Sequence, residues 1–350
     1  MKKTFVNKLL RKKTGMWLTA GVMTAMMLGG CSKTVQEEPV LKSESQKTET
    51  KETAEQTTAE NGDKNTEERG EEGSTIRVDT DYGEVELPVN PKRVAVFDMG
   101  ILDSMDYLGI EAEYAVPKAN LTSNLSKYED AVNAGGIKEP DLEKIFEFQP
   151  DLIIISGRQE AHYEELNRIA PTWYASLDYT DLMEDFIHTY TTLGQIFEKE
   201  TETAEAIRVI EEKIAQAAEK AGRSEEKALV LLTNDGNLSA YGSGSRFGLI
   251  HDLLGVEMAD AGIEASTHGQ SVGYEYLAKV NPDILYVVDR TAVVAGTAGA
   301  GDTLKNELVE STNAYKNGKM IFLDAENWYL AGVGLRTFPE MIGEITDALE

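Results

Sequence analysis

Apolar and polar positions in this chain fall into two nearly matching stretches. Glu143–Arg158 reads EKIFEFQPDLIIISGR and Glu275–Arg290 reads EYLAKVNPDILYVVDR. Each opens as an amphipathic helix, turns at a Pro-Asp pair and continues as an uninterrupted apolar run, Leu152–Ile155 in one and Ile284–Val288 in the other. Apolar residues without alternation fit a parallel strand buried on both faces. Glu, Pro, Asp and Arg recur at the same offsets, as Glu143, Pro150, Asp151 and Arg158, then Glu275, Pro282, Asp283 and Arg290. The repeat predicts two similar α/β lobes, each with an arginine at the carboxyl end of a core strand. In open parallel sheets that end faces the ligand crevice.

The rest of the pattern fits around this pair. Ile76, Val78, Val85 and Leu87 alternate about Asp81-Tyr82-Gly83, which predicts a hairpin over Ile76–Leu87. A strand at Val94–Phe97 and a helix running through Leu108-Gly109-Ile110 follow. In the second lobe the matching elements are a strand at Ala228–Leu232, a turn at Asn234-Asp235-Gly236-Asn237, a helix over Phe247–Val256 and a late strand at Met320–Leu323. Between the lobes, Asp181–Ala221 reads as helical throughout. Leu182, Phe186, Tyr190 and Leu193 form one stripe and Ile207, Ile210 and Ile214 another, and the part from about Glu200 to Ala221 would cross between lobes. The predicted fold is therefore α/β: two Rossmann-like lobes with central, mainly parallel sheets, joined by one long α-helix, with the ligand cleft between them. The expected divisions are a signal segment at 1–30, a tether at 31–75, lobes at 76–180 and 225–350, and a helical linker at 181–224.

Residues 1–31 follow the lipoprotein-signal pattern. A basic end (Lys2 to Lys13) precedes an apolar run from Gly15 to Leu28, too short for an ordinary spanning helix, and then the box Leu28-Gly29-Gly30-Cys31. Cys31 is the only cysteine, which excludes an internal disulfide or a thiolate cluster and leaves a thiol where a diacylglycerol would be attached. The expected location is the outer face of the cell membrane, Gram-positive type, with the lipid as the only membrane contact. Residues 32–75 are Glu, Lys, Thr, Ser and Gln with almost nothing apolar, the composition of a disordered tether.

The formal net charge is −27, and removing the six cations of the signal segment takes the mature chain to −33. That disfavours nucleic acid or an anionic membrane as partner. It does not exclude an anionic ligand. Screening over about 8 Å at physiological salt keeps tail carboxylates from dominating a cleft lined by its own cations.

Three arginines are placed to supply those cations. Arg158 and Arg290 end the repeated strands, and Arg246 closes the loop Tyr241-Gly242-Ser243-Gly244-Ser245-Arg246. Guanidinium is permanently charged and forked, which suits oxygen-rich anions, and three could hold a trivalent one. The competing use of each is an ion pair with a nearby acid, and Asp289 adjoins Arg290. His268 lies in a polar loop and Tyr329 just after the strand Met320–Leu323. Imidazole and phenolate both coordinate ferric iron, although capping and packing are the commoner uses. The four histidines (His162, His188, His251 and His268) show no paired spacing of a zinc site. The stretch Gly242-Ser243-Gly244 lacks the full dinucleotide-binding spacing, and no nucleophile elbow is present.

The stretches Ile155-Ser156-Gly157-Arg158-Gln159, Gly244-Ser245-Arg246-Phe247-Gly248, Ser266-Thr267-His268-Gly269, Val287-Val288-Asp289-Arg290 and Trp328-Tyr329-Leu330 carry a resemblance. Over residues 76–350 the chain resembles the periplasmic-binding-protein-like lipoproteins of bacterial iron–siderophore ABC importers. Within them it looks most like the binders of ferric catecholate siderophores of the petrobactin type. The resemblance implies that Arg158, Arg246 and Arg290 neutralise catecholate oxygens. It also implies that His268 and Tyr329 ligate iron when the siderophore supplies fewer than six donors. Glu143 and Glu275 would dock into basic sockets of the permease. The implied protein is a monomeric, non-enzymatic receptor without a cofactor of its own, its ligand being the Fe(III)–siderophore complex. The other readings are the same class bound to a hydroxamate siderophore, haem or a corrinoid, and an extracellular α/β enzyme.

Overall fold

The computed structural model describes residues 74–297 and 299–349. The signal segment, Cys31 and all but the last two residues of the tether lie outside the described residues. Thirteen strands are described: β1 Thr75–Thr80, β2 Gly83–Pro88, β3 Arg93–Val96, β4 Glu113–Val116, β5 Val132–Asn133, β6 Leu152–Ile155, β7 Thr172–Tyr174, β8 Lys227–Asn234, β9 Asn237–Tyr241, β10 Glu257–Met258, β11 Gln270–Val272, β12 Ile284–Asp289 and β13 Met320–Leu323. The strands β1 and β2 form the expected hairpin, closed by the left-handed Gly83.

The first sheet has the order β5-β4-β3-β6-β7, and every pairing in it is parallel. The second has the order β11-β9-β8-β12-β13, with β10 also pairing β8. It is mixed: β8, β12, β13 and β10 run parallel, while β9 turns back antiparallel on β8 and β11 on β9. The Asn234–Asn237 turn produces that reversal. Asp235 and Gly236 both take positive φ, 48° and 79°, as a two-residue hairpin turn of the primed type requires.

The two repeated stretches place their strands alike. Each follows a short helix, Leu142–Phe148 or Tyr274–Val280, ended by a left-handed residue, Gln149 or Asn281. Proline next in the chain cannot continue a helix and disfavours helical backbone in the residue before it. The aspartate after it then ties its strand to the neighbouring one. Asp151 Oδ2 accepts from the backbone N–H of Lys92 at 2.7 Å and Arg93 at 2.9 Å, and Asp283 Oδ2 accepts from Lys227 N–H at 3.1 Å. In both copies the following strand, β6 or β12, is an interior strand next to one edge of its sheet.

Successive residues of these strands enter different cores. In β6, Leu152 and Ile154 join one cluster while Ile153 and Ile155 join another. In β12, Ile284, Tyr286 and Val288 join that same first cluster, while Leu285 and Val287 enter a third. The inner faces of both sheets thus share one continuous apolar body, and each outer face has its own. The helices Leu182–Ile196, Glu200–Ala221 and Thr337–Ala348 all contribute to the shared body.

Two helical expectations need correction. Asp181–Ala221 is not one helix but two, interrupted where Glu198 takes a left-handed φ of 52°. Gly194 and Thr203 meet across the break, and a Cβ on Gly194 would lie 2.9 Å from the Thr203 hydroxyl. The second piece, Glu200–Ala221, is the long crossing helix. The helix expected over Phe247–Val256 shrinks to Leu249–Asp252, with left-handed Gly255 ending the segment.

After β13 the chain returns to the first sheet's side. Tyr190 donates to the Val333 carbonyl at 2.8 Å, Leu335 N–H donates to Ser104 Oγ at 2.9 Å, and Arg336 pairs with Asp103 and Asp106, both at 2.8 Å. The segment carrying Tyr329 is thereby anchored on the helix Met99–Tyr107.

Candidate functional site

Between the sheets lies a cavity of about 950 Å³, and Arg158, Arg246, His268, Arg290 and Tyr329 all line it. The expected arginines therefore converge, and from different directions. Arg158 follows β6 in the turn Gly157–His162, Arg290 opens the helix Arg290–Ala295 at the end of β12, and Arg246 comes from the loop after β9.

Tyr329 is where they meet. It sits in the π-helical turn Glu326–Ala331, set by its neighbours. Asp324 caps the turn by accepting from Glu326 N–H at 2.8 Å, and the buried Trp328 donates its indole N–H to Glu344 at 2.6 Å. With Trp328 pinned inward, Tyr329 lies against the cavity. Arg290 Nε donates to its phenolic oxygen at 2.6 Å, and the Arg246 guanidinium lies over its ring, 4.5 Å from the centroid. Arg158 donates to the carbonyls of Tyr329 at 2.6 Å and Leu330 at 3.0 Å. Arg246 also donates to the Tyr329 carbonyl, so guanidiniums from both halves share one acceptor.

The electrostatics follow from that crowding. Burial lowers the Arg158 guanidinium from its ordinary value, and the nearby Arg246 charge lowers it further. Burial would raise the Tyr329 phenol, but the hydrogen bond from Arg290 and the charges of Arg290, Arg246 and Arg158 outweigh it and hold the group below its ordinary range. A phenol so placed gives up its proton more readily, which a metal-binding phenolate requires.

Among the described residues, none of the three arginines forms an ion pair with a carboxylate; their partners are carbonyls, a phenol and the side-chain oxygen of Asn234. Asp289, the natural rival for Arg290, is committed elsewhere. Asp98, Glu160 and Asp178 also line the cavity, and the Asp98 charge acts on Arg158, but no carboxylate among the described residues bonds the three arginines, and positive charge so held favours an anionic occupant.

His268 is exposed at the rim, in a loop bent by left-handed Gly269, where a Cβ would come within 2.7 Å of the Tyr241 ring. Among the described residues its imidazole has no hydrogen-bond partner. His162, His188 and His251 do not line the cavity. His251 bonds the Val256 carbonyl at 2.8 Å, and burial lowers it from its ordinary value. No group of three or more His, Cys, Asp or Glu able to hold a metal occurs among the described residues. Glu143 and Glu275 are exposed in the first turns of their short helices, outside the cavity.

Sequence reasoning missed Asn234, Tyr174 and Tyr241, which also line the cavity. Asn234 was legible in principle as a polar residue at the carboxyl end of a central strand, but its Asn-Asp-Gly-Asn context marks only a turn. Tyr174 ends β7 and packs edge-on against Tyr82 from the hairpin tip, with ring centroids 5.2 Å apart, a contact that no local pattern announces.

A cation-lined cavity between two α/β sheets, bridged by one long helix, is the architecture of a solute-binding protein. The chain belongs to the periplasmic binding protein family, whose model matches residues 94–327. It is 43% identical over 296 residues to the petrobactin-binding protein YclQ of Bacillus subtilis, covering 83% of this chain and 93% of that protein. The YclQ crystal structure matches 79% of this chain and 99% of its own with a TM-score of 0.77. The ferric-anguibactin-binding protein FatB of Vibrio anguillarum is 34% identical over 281 residues, 77% of this chain and 86% of its own. The periplasmic catecholate-siderophore binding protein VctP of Vibrio cholerae is 31% identical with a TM-score of 0.74, over 78% of this chain and all (100%) of its own. Among the described residues no helix is long and apolar enough to cross a membrane.

Proposed function

We propose that this protein captures a ferric catecholate siderophore of the petrobactin type in the cavity between its sheets and delivers it to an ABC permease for iron uptake. The observation that carries the reading is the convergence of Arg158, Arg246 and Arg290 on Tyr329 without a carboxylate among their partners. A ferric catecholate is an oxygen-rich anion, the ligand that forked, permanently charged donors recognise best. The names of the relatives, which bind petrobactin, ferric anguibactin and catecholate siderophores, support the same ligand class.

In this reading the arginines neutralise catecholate oxygens. Tyr329 and His268 complete the iron's coordination when the siderophore brings only four donors, and neither ligates a hexadentate complex. The receptor transforms nothing. It is monomeric, carries no cofactor of its own, and is held by a lipid on Cys31 at the outer face of the membrane. Glu143 and Glu275, equivalent in the repeat and exposed, dock on the permease.

Quenching of tryptophan fluorescence tests the ligand class, because Trp328 adjoins Tyr329. Titration with ferric catecholate, citrate-catecholate and hydroxamate complexes should show tightest binding for the catecholate-bearing ones. A preference for the hydroxamate would refute the assignment.

A further inference from the structure

Two carboxylates lie close in sequence to the arginines of the second sheet, and neither is paired with them. Asp289 immediately precedes Arg290, and simple attraction would bring the two together. Instead Asp289 Oδ2 accepts from the backbone N–H of Gly299 at 2.7 Å and Ala300 at 2.8 Å. Its Oδ1 accepts from Ala292 N–H and from the Thr233 hydroxyl, both at 3.3 Å. Burial would raise this carboxyl, but the N–H donors of Ala300, Gly299 and Ala292 outweigh it and hold it below its ordinary value, so it stays ionised. The chain on both sides of Arg290 is gathered onto a single anchor.

Asp252 serves the Arg246 loop in the same way. It accepts from the Ser243 hydroxyl and from Gly244 N–H, the latter at 2.7 Å. The approach needs a glycine at 248, where a Cβ would stand 2.6 Å from the Asp252 carboxylate. The first sheet reaches the same end without charge: Ser156 N–H donates to the side-chain oxygen of the buried Gln159 at 3.0 Å, closing the turn that carries Arg158.

We propose that Asp289 and Asp252 are positioning residues for Arg290 and Arg246: each spends its carboxylate on backbone N–H and hydroxyl donors, fixes the loop that carries its arginine, and leaves the guanidinium's charge to the ligand. The inference rests on the reading that the ligand is an anionic ferric complex.

The sign of one substitution separates this role from bulk electrostatics. Removing a negative charge near an anion site strengthens binding if charge alone counts. A positioning role requires the opposite. With the Fe(III) complex of a linear bis-catecholamide as probe, Asp289→Asn should weaken binding on the order of tenfold, as loss of an outer-shell partner does. Asp302→Asn, at an exposed carboxylate paired only with Lys305, should bind as wild type or slightly tighter. Repeating Asp289→Asn in an Arg290→Ala background isolates the route, since an effect exerted through Arg290 largely vanishes there. Weakening confined to the wild-type background supports the proposal. Unchanged or tighter binding, or equal weakening in both backgrounds, overturns it. Should Asp289→Asn fail to fold, the same cycle with Asp252→Asn and Arg246→Ala decides by the same criteria. A wild-type protein that ignored the catecholate and bound a ferric hydroxamate, which carries no net negative charge from its iron centre, would sink the functional reading and this inference with it, whereas catecholate binding left unweakened by Asp289→Asn overturns the inference alone.

Discussion

Arg290 donates from Nε to the phenolic oxygen of Tyr329 across 2.6 Å, while another of its nitrogens bonds the side chain of Asn234. The guanidinium is thus oriented from two sides before any ligand arrives, and orientation fixed in advance lowers the cost of binding. Arg290→Ala, and likewise Arg246→Ala, should weaken ferric-catecholate binding by well over tenfold, because truncating one partner of a buried charge pair costs about 2–5 kcal/mol. Fluorescence titration of each variant gives the number; wild-type affinity in either would remove that arginine from the site.

The same bond predicts a spectroscopic property of Tyr329. Its phenol should ionise at lower pH than an ordinary tyrosine, since three guanidiniums favour the phenolate. An ultraviolet titration of the ligand-free protein should show an early tyrosinate step that Tyr329→Phe lacks. In the iron-loaded state the variant should change the visible charge-transfer band of a tetradentate catecholate complex and leave that of a hexadentate complex alone. Superimposable spectra with the tetradentate ligand would exclude direct ligation.

Asp103 makes stability depend on pH in an unusual direction. It is fully buried, paired with Arg336 and bonded by Asn124 Nδ2 at 2.6 Å, yet its Oδ2 has no partner. Burial pushes its carboxyl up to about 6 despite Arg336. A folded-state value above the unfolded one means the native protein takes up the proton first. This group therefore adds stability as pH falls through 6 and withdraws it as pH rises. The gain between pH 7 and pH 5 is about 1 kcal/mol. Other carboxylates act in the opposite sense, so the readout is a difference: urea midpoints of wild type relative to Asp103→Asn should move in favour of wild type over that interval. A difference that stays flat would contradict the raised value.

Glu143 and Glu275 should matter to transport and not to capture. Replacing both with alanine should leave siderophore affinity within about twofold, since exposed substitutions seldom exceed 0.5 kcal/mol. Uptake of labelled iron by cells should fall sharply. Normal uptake by the double variant would free these residues from the docking role.

What the chain disclosed in advance follows from periodicity and from physical exclusion. The repeated Glu-Pro-Asp-Arg spacing was legible because a proline stop, an aspartate tie and a strand-end arginine each act within a few residues. Arg158 and Arg290 were found that way, and Arg246 through its glycine-rich loop. Three things stayed hidden. The reversal at β9 depends on Asp235 and Gly236 adopting positive φ, and the same four letters also serve an ordinary turn. The use of Asp289 was not legible, because adjacency to Arg290 offers an ion pair as the competing use and its actual partners Gly299 and Ala300 are brought near only by the folded loop. Long-range closures such as Arg336 onto Asp103 leave no local trace at all.

The apolar body shared by the inner faces of both sheets has a practical outcome. Two domains on extended linkers can swing apart, so their chain ends make good attachment points for a reporter of ligand arrival. Here such swinging would split the apolar body to which both sheets contribute and expose its buried side chains to water. The radius of gyration measured by small-angle scattering should therefore barely change when the ferric complex enters. A sensor built on this scaffold should carry its dye at the cavity rim near His268 and leave the termini alone.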